Sequence, residues 1–176
     1  IMIDTHAHLD LENFDEGRDE VISRFFENGG SAIINIGVDL VTSKKSIVLA
    51  EKNKNIFAAI GFHPHDATEV LNSVSDDDFE ELKKIAENEK VVAIGEIGLD
   101  YSRIGEIEEG GEIKAKHKKA FLAQIEIAKE SSLPVVVHCR DAWEDLYEII
   151  SKYSQLNFVL HCYSGEKKDT ENFLKL

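Results

Sequence analysis

Ile3-Asp4-Thr5-His6-Ala7-His8 is an apolar strand opening that ends in two histidines one residue apart. Successive side chains of a β-strand point to opposite faces, so His6 and His8 face the same way. Two imidazoles side by side at a strand's end can chelate one metal ion. An isolated pair of this kind is an ordinary surface feature of an edge strand. What decides the reading is that an apolar run closing on a chemical side chain recurs along the chain.

Runs rich in Val, Ile and Ala lie at Met2–His6, Ala32–Gly37, Ile56–Gly61, Val91–Gly95, Pro134–His138 and Asn157–His161. Segments of helical spacing separate them. Their stripes are Val21, Ile22, Phe25 and Phe26; Phe79, Leu82, Ile85 and Ala86; Phe121, Leu122, Ile125 and Ala128; and Trp143, Leu146, Ile149 and Ile150. Ser75, three residues before Asp78, predicts a helix N-cap, and Pro134 a stop for the preceding helix. Strands alternating with helices imply βαβ units, and nearly continuous apolar strands imply a parallel sheet covered on both faces. An open doubly wound sheet and a (β/α) barrel share that pattern. The open sheet gathers its ligand residues at one switch point, usually with a glycine-rich phosphate turn, and neither G-x-G-x-x-G nor a P-loop is present. Here chemical residues close at least five strands, where barrel active sites are assembled. The expected fold class is α/β, of the (β/α)8 TIM-barrel type, with strands 1–6 represented.

The third strand ends in G-F-H-P-H, giving His63 and His65. The fourth runs V-A-I-G-E-I-G-L-D-Y, with Glu96 at its mouth and Asp100 beyond. The fifth ends V-V-V-H-C-R-D-A, giving His138 and Arg140, and the sixth ends F-V-L-H-C-Y-S-G, giving His161. Six of the seven histidines therefore close strands, and only His117 falls in a helix. Packing does not explain six imidazoles at equivalent positions with a glutamate among them. Imidazoles and a carboxylate without thiolates suit Zn, Mn or a similar divalent ion, and the glutamate can bridge two. Cys139 and Cys162 each follow a histidine directly, so they are expected to point away from the site as reduced, packed thiols.

The 176 residues, 43% hydrophobic and 31% charged, suit one well-cored domain. No apolar run approaches the roughly 20 residues that span a bilayer, and no secretory leader is read; the expectation is a cytoplasmic protein with no membrane partner. A net charge of −14 disfavours extended binding to a polyanion. A metal centre can still hold one phosphate, because its charge dominates its surroundings. The long connection Ser102–Lys114, flexible and acidic, follows the fourth strand and reads equally as a mobile lid or a surface insertion.

The five motifs D-T-H-A-H-L-D, G-F-H-P-H, G-E-I-G-L-D-Y, V-V-V-H-C-R-D-A and L-H-C-Y-S-G resemble, in that order, the TatD family of metal-dependent deoxyribonucleases, within the amidohydrolase-like barrel hydrolases. The resemblance implies that His6 and His8 hold one divalent ion, that Glu96 bridges as the catalytic carboxylate, and that His138 and His161 hold a second ion. The two ions would be Zn, Mn or Mg. It further implies that His63, His65 and Arg140 meet substrate phosphate, with Arg140 matching phosphate geometry. Asp10 and Tyr101 lie nearby and are read as structural.

The family also carries an aspartate at the end of an eighth strand, which no residue up to Leu176 can supply. The expectation is a single metal-dependent hydrolase domain over 1–176, C-terminally incomplete, with two open sheet edges that invite association and an oligomeric state left open. The expected activity is phosphodiester hydrolysis on DNA, at single strands or 3′ ends. Rival readings are a metal-dependent ester hydrolase, such as one acting on D-aminoacyl-tRNA, and a truncated metal-binding module without turnover.

Overall fold

A computed structural model describes residues 2–64, 74–102, 104 and 110–176. Six parallel strands form one sheet in chain order: β1 Met2–Ala7, β2 Gly30–Ile36, β3 Ile56–Ile60, β4 Val91–Asp100, β5 Val135–Arg140 and β6 Phe158–Leu160. The helices are α1 Arg18–Glu27, α2 Leu40–Lys52, α3 Asp76–Ile85, α4 Gly110–Ser131, α5 Trp143–Ile150 and α6 Lys167–Phe173. The sheet curls as part of a barrel. The His6 ring, on β1, stacks on His161, just past β6, although no backbone pairing joins these two strands.

Two apolar layers follow from the alternation of side chains along the strands. Ile33, Ile56, Ile94, Val135 and Val137 pack with helix residues such as Leu82, Phe121, Ile125 and Leu146. Ile36, Ala59, Ala93 and Val136, one from each of four successive strands, form a separate cluster that contains no helix residue. This is the filled interior that a curled parallel sheet requires. Met2 and Ile3 on β1 and Val159 on β6 are about half exposed.

The fourth strand continues five residues past its predicted end. Ile94 pairs with Val135 and Ile97 with Val137, so three steps on β4 match two on β5, a one-residue bulge. Gly95 (φ +158°) and Gly98 (φ +149°) make this possible. A Cβ on Gly95 would lie 2.6 Å from the Val136 carbonyl oxygen, and one on Gly98 would lie 2.0 Å from that of His138. The bulge has a functional consequence. Ile94 faces the helices, so strict alternation would turn Glu96 toward them too; the extra residue rephases the strand and brings Glu96, Gly98 and Asp100 onto the interior face.

Local signals account for several helix ends. Ser75 is the predicted N-cap and forms a capping box with Asp78, and α4 stops at Ser131 before Pro134. Leu122 is a correction: it is exposed, and the buried stripe of α4 is Phe121, Gln124, Ile125 and Ala128. Gly110–Lys114, predicted as loop, is the first turn of α4; the remainder of that connection lies mostly outside the described residues. Cys139 is buried opposite the interior face, as expected, whereas Cys162 is exposed rather than packed. Among the described residues no helix is long and apolar enough to cross a membrane.

Candidate metal centre

Glu96 is the hub. Its side chain is 7% exposed and meets three imidazoles from three other strands or strand ends. Oε2 lies 3.2 Å from His6 Nε2, and Oε1 lies 3.0 Å from His138 Nδ1 and 3.6 Å from His63 Nε2. His6 and His161 stack with ring centroids 3.4 Å apart, and the His63 and His138 rings meet edge-on at 4.3 Å. His8 stands 5.0 Å from His6, ring to ring, and its Nδ1 donates to the Ile36 carbonyl at 3.0 Å. That bond leaves Nε2 as the His8 nitrogen with an open lone pair.

Charge at this mouth is set by the same contacts. Burial works to raise the Glu96 carboxyl, but the hydrogen bonds from His138, His6 and His63 outweigh it and hold the group far below the usual carboxylate range. Burial lowers His138, yet its bonds to Glu96 and Asp100 raise it overall. His161 is lowered, first by burial and then by repulsion from His6, which favours the neutral imidazole a metal requires.

Two sets of three donors have their ligand atoms within 4.8 Å of one another: His6, Glu96 and His161, and His63, Glu96 and His138. Ligands of a single divalent ion are separated by such distances. Among the described residues, buried His6 Nδ1 has no hydrogen-bond partner, a costly state for a polar atom unless something else satisfies it. Donor chemistry and this orphaned nitrogen both fit a divalent ion. The geometry therefore gathers His6, Glu96, His138 and His161, sets His8 beside them, and also brings in His63, which the sequence reads as a substrate contact. Arg140 ends β5 with an exposed side chain, and His65 lies outside the described residues.

Three polar residues that sequence reasoning passed over or left without a role hold this mouth in place. Asp100, 2% exposed, accepts from His138 Nε2 at 2.8 Å. It lies two and four residues along from Gly98 and Glu96, on one strand face, which is the signal that could have found it. Asn35, fully buried on β2, accepts from Leu9 N at 2.6 Å and donates to Asp10 Oδ1 and Ser46 Oγ, both at 2.8 Å. It thereby fixes the turn after His8 and ties Asp10 to it. Gln124 on α4 accepts from Phe62 N at 2.7 Å and donates to the Phe62 carbonyl at 3.3 Å, just before His63. Tyr101 donates to Asp145 Oδ2 at 2.7 Å.

Comparison with known proteins identifies the family and the fold. The profile of the TatD related DNase family matches residues 3–176. The uncharacterized metal-dependent hydrolase YabD of Bacillus subtilis is 34% identical over 178 residues, covering 100% of this chain and 66% of that protein. The 3′-5′ ssDNA/RNA exonuclease TatD of Escherichia coli K12 is 30% identical over 172 residues, covering 97% and 62%. Two crystal structures superpose with a TM-score of 0.83 at 29% identity. They are YjjV, a TatD homolog from Escherichia coli (99% of this chain, 64% of that one), and a TatD family hydrolase from Entamoeba histolytica (99% and 62%). The chain spans just under two thirds of the length of these relatives.

Proposed function

Since the chain belongs to the TatD related DNase family, we propose that its site hydrolyses phosphodiester bonds with divalent metal ions, acting on DNA at single strands or 3′ ends. The observation that carries this reading is Glu96, a nearly buried carboxylate within 3.0–3.6 Å of three imidazoles. Two relatives of this family carry names that fit: a metal-dependent hydrolase and a 3′-5′ ssDNA/RNA exonuclease.

In this proposal His6, His8, Glu96, His138 and His161 hold two ions, of Zn, Mn or Mg. Bound there, such ions lower the pKa of water and neutralise charge on the phosphoryl oxygens. Glu96 is the catalytic carboxylate, kept ionised by its imidazoles and offering both oxygens. His63, His65 and Arg140 orient the substrate phosphate, Arg140 by the match of guanidinium to phosphate. The acidic charge of the chain restricts the substrate to a short stretch of strand at the mouth. A cytoplasmic setting belongs to the same proposal and is supported by the two free thiols.

End-labelled single-stranded DNA, with Mn²⁺, Zn²⁺ or Mg²⁺ added in turn, tests the reading. The expected result is metal-dependent cleavage that Glu96→Gln reduces by more than the ~10–100-fold typical of losing an outer partner of a metal ligand. Unchanged cleavage by Glu96→Gln would refute it. So would inactivity on DNA alongside rapid turnover of p-nitrophenyl esters or D-aminoacyl-tRNA.

A further inference from the structure

The two nitrogens of His138 both face carboxylates, and the two carboxylates differ in what else holds them. Glu96 is surrounded by imidazoles. Asp100 is buried and pinned from its other side: the Ser102 backbone N–H donates to Oδ1 at 2.9 Å, and the Ser102 hydroxyl to the same oxygen at 2.6 Å. Its second oxygen, Oδ2, faces His138 Nε2 at 2.8 Å. An ionised carboxylate can only accept, so Nε2 must carry a proton. Glu96 Oε1 accepts from Nδ1 at 3.0 Å in the same way, but Glu96 belongs to both donor sets and Asp100 to neither; an ion beside Glu96 would take the Nδ1 lone pair and leave the Nε2 proton on Asp100.

We infer that Asp100 is a positioning residue that locks the His138 tautomer, with Nε2 protonated and Nδ1 directed at Glu96 as the nitrogen available to a metal ion. The inference rests on the metal-binding reading of the site and deepens it. His8 is locked the opposite way, because the Ile36 carbonyl fixes its proton on Nδ1. The two histidines therefore present different nitrogens to the same mouth. His8 is set by backbone that no substitution removes, whereas His138 depends on one side chain.

Ser102 makes the lock sensitive to chemistry rather than shape. In Asp100→Asn the amide oxygen stays where the two Ser102 donors require an acceptor, so the NH₂ group takes the Oδ2 position and points at Nε2. That nitrogen must then accept, which moves the ring proton to Nδ1 and blocks the ligand position. In Asp100→Ala the space is left to water, which can accept from Nε2–H. The nearly isosteric change is therefore the more damaging one, the reverse of what a packing role or a simple loss of charge would give.

Calorimetric titration of the full chain with Zn²⁺, together with ¹⁵N-histidine NMR, tests this. The expected affinity order is wild type, then Asp100→Ala, then Asp100→Asn, with Asn at least ~10–100-fold below wild type. The Nε2–H resonance of His138 is expected in the wild type and lost in Asp100→Asn. Equal or better binding by Asn than by Ala would overturn the inference while leaving the metal reading intact. Failure of the wild type to bind any ion would instead sink the metal reading. Should either variant not fold, the zinc-loaded wild type suffices: a proton on Nδ1, or zinc on Nε2, refutes the lock.

Discussion

Replacing Gln124 by leucine removes three side-chain hydrogen bonds, two to the Phe62 backbone and one to the Ala120 carbonyl, while nearly conserving volume. Gln124 is 1% exposed and lies in the buried stripe of α4, where its amide takes both backbone groups of Phe62 just beyond the end of β3. Leucine fills the same space but leaves the Phe62 N–H, bound at 2.7 Å, and the carbonyl, bound at 3.3 Å, without that partner. An orphaned buried donor costs about 1–3 kcal/mol, and the longer carbonyl bond adds about 1. The expected loss is thus about 2–4 kcal/mol. For a chain of this size that lowers Tm by roughly 4–16 °C. Thermal unfolding followed by circular dichroism reads the loss, and hydrogen exchange locates it, because protection of the Phe62 amide is expected to collapse first. His63 is the next residue, with its N–H on the Val38 carbonyl at 2.8 Å, so a loosened Phe62 also weakens the mouth. A Tm within ~2 °C of wild type, with Phe62 still protected, would refute the reasoning.

Gly98→Ala is expected to destabilise the chain by more than about 3 kcal/mol in urea unfolding, since its Cβ would overlap the His138 carbonyl oxygen at 2.0 Å, a backbone atom that cannot swing aside; wild-type stability would show that the strands part easily there. The two thiols should separate by reactivity. Burial, reinforced by Asp100 and Asp141, pushes Cys139 up to about 12, so at pH 8 it remains a protonated, covered thiol, whereas Cys162 is exposed. Ellman's reagent is expected to titrate one thiol in the native chain and two in denaturant; two equal fast phases in the native chain would contradict this.

Much of the architecture is legible in the chain because apolar runs report themselves by period. Five strand ends carry a histidine or glutamate that the eye can pick out, and the structure gathers the described ones. Helix α2 escapes that reading because its buried face includes Ser43 and Ser46 beside Ile47, Leu49 and Ala50, and hydroxyl groups blur an apolar stripe. Asn35 and Gln124 escape for the same reason. A polar residue inside an apolar element carries no periodic signal, and its worth lies in partners 26 and 62 residues away. The orientation of Glu96 is the subtlest case. Simple alternation from Ile94 turns it to the wrong face, and only the bulge at Gly95, a close approach between two backbones, sets it right.

The stacked rings of His6 and His161 join the first and last strands of the sheet at one end only. β6 is the shortest strand of the sheet, three residues long, and a short strand frays readily. A chelate is only as durable as its most labile arm. Any ion gripped between these two rims would cinch the curled sheet like a clasp, and its residence time would be governed by how often that short strand lets go.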